Sequence, residues 1–261
     1  MNKFKKSTLL ILVCTLCLSL ISCNSTNNKT KLEKSQLTIS AAASLKEAMA
    51  DIETEFTSSN PNIELTFNFG SSGSLQKQIE QGAPCDLFIS AGQSQMNALE
   101  DGGLILDNTR KDLVKNSLVL VGSENSDINS INDLASEKIQ HIAMGEPSSV
   151  PAGKYANEVL TNLNLVDTFQ PKLVYAKDVK EVLSWVVSGN AEAGFVYKSD
   201  TCGVNPIKVV ETISEDYHSP INYPVAVIKD SSSIDAAKLF EDFLFSEKAK
   251  EIFEKYGYNP L

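Results

Sequence analysis

The chain has 261 residues, of which 42% are hydrophobic and 21% are charged, a composition typical of a globular protein. Its 33 acidic and 23 basic residues give a net charge of −10 at pH 7. This balance argues against nucleic acid as a partner, because no basic stripe is available to neutralise phosphates. The same negative field repels anions, so any anion site in this chain must act through local dipoles.

The first residues have the features of a lipoprotein signal peptide. Basic residues between Lys3 and Lys6 precede an apolar run, Leu9 to Ile21, that is short for a permanent membrane helix. The tetrapeptide Leu-Ile-Ser-Cys that ends at Cys23 is similar to a lipobox. We therefore predict a signal peptide at residues 1–22 and a lipid on Cys23; the alternative is an ordinary signal peptide cut elsewhere. Residues 23–36 are polar and predict a flexible tether.

Two cysteines, Cys85 and Cys202, remain in the part of the chain that follows the tether. A compartment outside the cytoplasm permits a disulfide between them, but two buried thiols fit the sequence as well, and the choice stays open. We expect no metal site, because these cysteines and the separated histidines His141 and His218 lack the spacing of metal ligands.

Strands and helices alternate along the rest of the chain. Predicted strands at Leu37–Ser40, Ile63–Phe67 and Asp86–Ser90 are separated by a helix that opens at Ser44 and by a short helix at Leu75–Glu80. The sequence Ser-Leu-Lys-Glu that begins at Ser44 indicates a capping box with Ser44 as the N-cap. Such alternation predicts an α/β fold with mainly parallel sheets flanked by helices.

Four short segments are each able to start a helix and none of them contains an arginine: Ala41–Ser44, Phe69–Ser74, Val150–Gly153 and Asp178–Glu181. The first N–H groups of a helix lack an internal partner and carry the positive end of the helix dipole. Ligands of α/β folds bind at such helix starts. The sequence therefore predicts an anion site built from uncharged donors.

These four segments, followed by Phe195-Val196-Tyr197, resemble in order and spacing the molybdate-binding proteins that feed bacterial ABC importers. The resemblance extends from Leu37 to Tyr258. It implies the two-lobed type II periplasmic-binding-protein fold with the ligand cleft between the lobes. Lobe 1 would comprise residues 37–116 and 224–261, and lobe 2 residues 117–223. The chain would be an extracytoplasmic monomer without enzymatic activity or cofactor, and its lipid anchor alone would hold it at the cell membrane. It would deliver molybdate or tungstate to an ABC permease and its ATPase.

The resemblance also implies which residues bind the oxyanion: Ser44, Ser72, Ala152, Val179 and Tyr197. Both serines would offer a backbone N–H and a hydroxyl, Ala152 and Val179 only a backbone N–H, and Tyr197 its phenol. Molybdenum would be bound only as the oxyanion, with no direct metal ligands. Asp178 is interpreted as the N-cap of its own helix, and Gly73, where relatives often have serine, is expected to loosen its loop.

A site made only of donors suits molybdate, tungstate or sulfate, which carry no proton at neutral pH, whereas phosphate keeps a proton and needs an acceptor. Cavity size would then separate molybdate from sulfate. Among alternatives, an amino-acid-binding protein is disfavoured because such sites use an arginine fork and the single arginine, Arg110, lies outside every motif. A hydrolase would need a nucleophile beside a histidine base, and neither His141 nor His218 adjoins a motif.

Overall fold

Two mixed β-sheets flanked by helices make up residues 34–261, the part of the chain that our computed structural model describes. The predicted signal peptide 1–22, the lipid on Cys23 and the tether up to residue 33 lie outside the described residues. Within residues 34–261, no helix has the length and apolar character needed to cross a membrane.

Sheet 1 has six strands in the order β11-β4-β10-β3-β1-β2. They are β1 (Ser35–Ala42), β2 (Ile63–Gly70), β3 (Leu87–Ile89), β4 (Lys111–Lys115), β10 (Asn222–Val227) and β11 (Asn259–Pro260). The first strand begins at Ser35, which pairs with Ile63. The last two residues of the predicted tether therefore belong to the sheet.

Sheet 2 has five strands in the order β7-β6-β8-β5-β9. They are β5 (Leu118–Ser123), β6 (Ile142–Gly145), β7 (Leu173–Ala176), β8 (Ala193–Tyr197) and β9 (Ile207–Thr212). Nearly every residue of β5, β6 and β8 is buried. This burial on both faces explains their continuous apolar sequences.

The helices cover the sheets and supply the rest of the core. They are α1 (Lys46–Ser59), α2 (Ser72–Glu80), α3 (Gln93–Asp101), α4 (Pro151–Asn162), α5 (Val166–Phe169), α6 (Val179–Val187), α7 (Ile234–Leu244) and α8 (Glu247–Lys255). The apolar periodicity from 234 to 256 belongs to two helices, because Ser246 caps α8 by accepting a hydrogen bond from Ala249 N–H. The predicted packing on lobe 1 is seen where Phe240 and Phe243 meet Phe56 edge to face, at centroid distances of 5.0 and 5.3 Å.

The sheets are mixed rather than mainly parallel, which corrects the expected strand directions. Strands β1, β2 and β3 are parallel in sheet 1, and β6, β7 and β8 are parallel in sheet 2. The strands next to the connections between the sheets, β4, β5, β9 and β10, pair antiparallel, as does β11. Each sheet therefore has one set of three parallel strands, called here its parallel trio. The four predicted helix starts follow the carboxyl ends of strands in these trios.

The chain passes between the sheets twice, at Asn116–Ser117 and again through residues 213–221. The two connections lie side by side, since Asn116 N–H donates to the Ile221 carbonyl at 3.0 Å. Asn222 and Tyr223, which the predicted lobe 2 includes, pair with β4 in sheet 1. The exact lobe boundaries stay a prediction.

Candidate functional site

A small cavity lies where the carboxyl ends of the two parallel trios meet. It leaves about 10 Å³ for the centre of a water-sized sphere, far below the roughly 300–1,000 Å³ of pockets that hold drug-sized organic ligands. Its lining comprises Ala42, Ala43, Ser44, Gly70, Ser71, Ser72, Ala91, Val150, Pro151, Ala152, Asp178, Val179 and Tyr197. All five residues predicted from the resemblance are among them.

Residues from four helix starts line this cavity, one start from each predicted segment. These starts are the 3-10 turn Ala43–Leu45 that leads into α1, and the first turns of α2, α4 and α6. The N–H groups of a first turn have no partner within their helix, and the helix dipole makes each of these ends positive. The cavity is therefore suited to an anion although no cationic side chain of residues 34–261 lines it.

Ser44 lies inside the 3-10 turn, and α1 begins at Lys46 after an N-cap position occupied by Leu45. The prediction of Ser44 as the N-cap of a capping box was therefore wrong. The extra turn carries the serine inward, where its hydroxyl lies 2.9 Å from the Tyr223 hydroxyl in the buried core. The Ser44 backbone remains in a helix-like first turn at the cavity wall.

Helix α2 begins at Ser72, three residues earlier than predicted, and Ser71 caps it by accepting a hydrogen bond from Ser74 N–H. The Ser72 hydroxyl oxygen accepts a hydrogen bond of 2.9 Å from Ala91 N–H. Its own proton is then left to donate elsewhere.

Gly73 tightens this region instead of loosening it, so the expectation for this residue was wrong. Its N–H donates to the Ser149 carbonyl at 2.9 Å, which joins α2 to the turn before α4. A Cβ at this position would lie 2.5 Å from that carbonyl oxygen, so only glycine permits the approach.

The start of α4 is packed closely on the end of β6. Pro151 occupies the first helical position, where its missing N–H costs nothing. A Cβ on Gly153 would lie 1.9 Å from the Gly145 carbonyl oxygen, so glycine is required for α4 to approach β6. This approach sets the position of the fully buried Ala152 at the cavity.

Helix α6 begins as predicted, with Asp178 as its N-cap. The Asp178 carboxylate accepts a hydrogen bond of 2.9 Å from Glu181 N–H. Val179 is thus the first helical residue, so its N–H has no partner within the helix, and the residue lines the cavity. Among the described residues that line the cavity, Asp178 is the one carboxylate, and its Oδ1 caps its own helix.

Tyr197 is the last residue of β8 and is almost completely buried. Its hydroxyl lines the cavity and donates a long hydrogen bond of 3.5 Å to the Ala91 carbonyl oxygen. Burial raises the pKa of the Tyr197 phenol well above its ordinary value. The phenol therefore remains an uncharged donor across the whole neutral range.

The nearest lysines are engaged outside the cavity. Lys180 Nζ lies 2.7 Å from a Glu47 carboxylate oxygen and 3.0 Å from one of Asp200. Burial alone lowers the pKa of Lys180, but Asp200 and Glu47 outweigh this effect and raise it. Lys154 is half-exposed and pairs with Glu158 at 3.9 Å. These cations are matched by carboxylates, and neither lysine is among the described residues that line the cavity.

The remaining polar residues singled out in the sequence lie away from the cavity. Arg110 binds Glu100, Gln93 and Asn97. His141 is exposed, and the buried His218 contacts the Ser219 carbonyl through Nδ1. Cys85 and Cys202 are both free thiols.

Comparison with known proteins gives the family. The family model for bacterial extracellular solute-binding proteins matches residues 37–259. A molybdate-binding protein from Escherichia coli is 40% identical over 87% of this chain and 90% of its own. A substrate-binding lipoprotein of an ABC transporter from Bacillus subtilis, provisionally assigned, is 44% identical over 98% of both chains. A solved substrate-binding domain from Clostridium difficile, provisionally assigned to a molybdenum ABC transporter, is 61% identical with a TM-score of 0.69 and covers 87% of this chain and 99% of its own.

The chain belongs to the bacterial extracellular solute-binding proteins, in the family that includes the molybdate-binding proteins. Superposition on solved periplasmic binding proteins confirms the two-lobed type II α/β fold for this solute-binding protein. The predicted fold class and the predicted family are therefore both confirmed.

Sequence reasoning missed two residues of this solute-binding protein that contact the predicted donors, Ala91 and Tyr223, and a third, Asn116, that contacts Tyr223. The Ala91 peptide touches both Ser72 and Tyr197, and the Tyr223 hydroxyl touches Ser44, 179 residues away in sequence. Asn116 in turn donates to the Tyr223 hydroxyl. No local pattern marks these residues, because their role depends on contacts between distant parts of the chain.

Proposed function

We propose that this protein binds molybdate or tungstate in the cavity and delivers it to the permease and ATPase of an ABC importer. The observation that carries the proposal is the convergence of four helix starts and the Tyr197 phenol on one small cavity lined by uncharged donors. The names of the relatives support the same ligand. The donors would be the N–H groups and hydroxyls of Ser44, Ser72, Ala152, Val179 and Tyr197.

The energetics are adequate for tight binding. Each hydrogen bond to a charged group contributes roughly 1.5–3 kcal/mol. Five to seven such bonds leave a margin for about micromolar or tighter binding after the cost of association. A larger metal oxyanion would keep all donors within range, whereas sulfate would leave some buried N–H groups without a partner. Closure of the two lobes about their connections would bury the anion from water.

We propose that this chain binds its ligand and catalyses no reaction. A hydrolase needs a nucleophile beside a general base. Within residues 34–261 neither histidine lines the cavity, and the Asp178 carboxylate is used as a helix cap.

We further propose that the protein is an extracytoplasmic monomer anchored to the cell membrane by lipid on Cys23. The support is the lipobox-like sequence and the lipoprotein name of the Bacillus subtilis relative. Replacing Cys23 with serine is expected to move the protein from the membrane fraction to the soluble fraction. Fractionation of cells followed by immunoblotting measures this, and membrane retention of the variant would contradict the anchor.

Isothermal titration of the purified protein with molybdate, tungstate, sulfate and phosphate tests the proposed ligand. We expect one-to-one binding of molybdate and tungstate, with sulfate much weaker. Tight binding of sulfate or phosphate in place of molybdate would overturn the ligand while keeping the oxyanion class. Absence of binding to all four would overturn the proposal.

Replacing Tyr197 with phenylalanine removes one donor without changing the shape of the core. We expect molybdate binding to weaken by about 1.5–3 kcal/mol, or roughly 10- to 150-fold, because one hydrogen bond to a charged group is lost. The matched control is Tyr155→Phe, which removes a buried hydroxyl that does not line the cavity. If the Tyr197 variant and the wild type bound molybdate with equal affinity, the Tyr197 hydroxyl would not be a donor in the site.

Binding of molybdate is expected to change little between pH 6 and pH 8. The phenol of Tyr197 has a raised pKa because it is buried, so it keeps its proton as the pH rises. No histidine lines the cavity within the described residues, so no donor would lose its proton near neutrality. Titration calorimetry across this range measures the dependence, and a midpoint near that of histidine would show that a titrating group belongs to the site.

A further inference from the structure

We propose that Tyr223 and Asn116 are positioning residues that hold the Ser44 hydroxyl as a donor and so select against oxyanions that carry a proton. The inference rests on the proposed oxyanion site and concerns its specificity. It starts from a buried chain of hydrogen bonds that leads from Asn116 through Tyr223 to Ser44.

The orientation of the Asn116 amide is fixed by its neighbours. Its Oδ1 accepts a hydrogen bond of 2.9 Å from Ser117 N–H. The opposite orientation would place two donors against each other, so the amide NH₂ must face the other way. There it donates to the Ser199 hydroxyl at 2.8 Å and to the Tyr223 hydroxyl at 3.2 Å. Asn116 itself is held at the connection between the sheets by its N–H bond to Ile221.

This orientation bears on the next bond, between the Ser44 and Tyr223 hydroxyls, in which either hydroxyl could donate. Because the Tyr223 oxygen already accepts from Asn116, its own proton is free to donate, and we assign that proton to the Ser44 oxygen 2.9 Å away. Tyr223 is completely buried between Tyr197 and Tyr258, with ring centroids 5.7 and 5.6 Å away. Burial also raises the pKa of its phenol well above the ordinary value, so the proton is retained.

The oxygens of both serine hydroxyls at the cavity then accept a hydrogen bond from a neighbouring protein group. Tyr223 donates to the Ser44 oxygen, and Ala91 N–H donates to the Ser72 oxygen at 2.9 Å. Each serine retains one proton, which it can donate into the cavity. A fully deprotonated oxyanion can accept both serine protons. A hydrogen phosphate ion also needs an acceptor for its own proton, and neither serine hydroxyl supplies one.

Replacing Tyr223 with phenylalanine frees the Ser44 hydroxyl to rotate and to accept a hydrogen bond. We expect the preference for molybdate over phosphate, measured as the ratio of their dissociation constants, to fall about tenfold, because one acceptor becomes available to the phosphate proton. The control is Tyr258→Phe, which removes a neighbouring buried hydroxyl that donates to the Ser44 carbonyl and not to its side chain. The control is expected to keep the ratio within about twofold, since a packing defect weakens both ligands alike.

A second variant tests the same relay by reversing it. Asn116→Asp keeps the shape of the side chain but turns the donor that faces Tyr223 into an acceptor. The tyrosine would then donate to the aspartate and accept from Ser44, so the ratio should fall again. In a Ser44→Ala background, adding Tyr223→Phe should leave the ratio unchanged, because the hydroxyl that Tyr223 positions is absent.

Thermal unfolding of each variant by circular dichroism identifies folded proteins, and calorimetry with molybdate and phosphate supplies both constants. An unchanged ratio in folded Tyr223→Phe, or in folded Asn116→Asp if the first does not fold, would overturn the relay. An equal fall of the ratio in Tyr258→Phe would also overturn it. If the wild type binds no molybdate, the proposed function is wrong. If the wild type binds molybdate but the Tyr223 variant keeps the same ratio of dissociation constants, only the role of Tyr223 is wrong.

Discussion

Replacing Val179 with proline is expected to weaken molybdate binding by about 1.5–3 kcal/mol, because it deletes one backbone donor to a charged ligand. Val179 is the first residue of α6, a position that tolerates proline. The preceding Asp178 is already extended, with φ −157° and ψ 171°, which suits a residue before proline. The substitution therefore removes the N–H while leaving the helix start and its Asp178 cap in place.

The matched control is Glu247→Pro, which places proline at the first position of α8, where Ser246 is the cap. This helix does not line the cavity, so molybdate affinity should equal that of the wild type. Titration calorimetry of both variants makes the comparison. If Val179→Pro bound molybdate as tightly as Glu247→Pro does, the Val179 N–H would not be a donor in the site.

Replacing Gly153 with alanine is expected to lower both stability and binding. The added Cβ would lie 1.9 Å from the Gly145 carbonyl oxygen and 2.5 Å from its carbonyl carbon, and backbone atoms cannot move aside as a flexible side chain can. Separating α4 from β6 should destabilise the fold by about 3 kcal/mol or more. Because Ala152 precedes this glycine, its N–H would leave the cavity, and we expect a loss of affinity of at least about 1.5 kcal/mol.

Gly122→Ala is the control for this substitution. A Cβ at Gly122 would lie 3.3 Å from the Ser126 side chain, which can move, and this glycine is remote from the cavity. Thermal unfolding and molybdate titration of the two variants give the comparison. Wild-type stability and affinity in Gly153→Ala would show that the close approach of α4 to β6 does not set the site.

Local sequence patterns predicted the start of α6 correctly because its signals lie within a few residues. Asp178 caps α6 through Glu181, three residues on, as its sequence indicated. Ser44 shows the limit of such patterns, since the same kind of motif predicted a cap and the structure places the serine inside a 3-10 turn. Its hydroxyl bonds to Tyr223 rather than to its own helix.

Features that depend on distant residues could not be predicted from local patterns. Sheet 1 is mixed because β10 returns to it and pairs antiparallel with both β3 and β4. Sheet 2 is mixed because β5 pairs antiparallel with β8 and β9. Gly73 was expected to loosen a loop, yet it accommodates the carbonyl of Ser149, a residue from the turn before α4. These outcomes follow from packing between segments that are far apart in sequence, which neither periodicity nor capping motifs encode.

The most direct test of the donor-only oxyanion site is a crystal structure of the protein with molybdate, in which the molybdenum is located by its anomalous scattering. We predict a single molybdenum in the cavity, with its oxygens accepting hydrogen bonds from the N–H groups and hydroxyls of Ser44, Ser72, Ala152, Val179 and Tyr197. A molybdenum located elsewhere, or one whose oxygens are held by Lys180 or another charged side chain, would contradict the account.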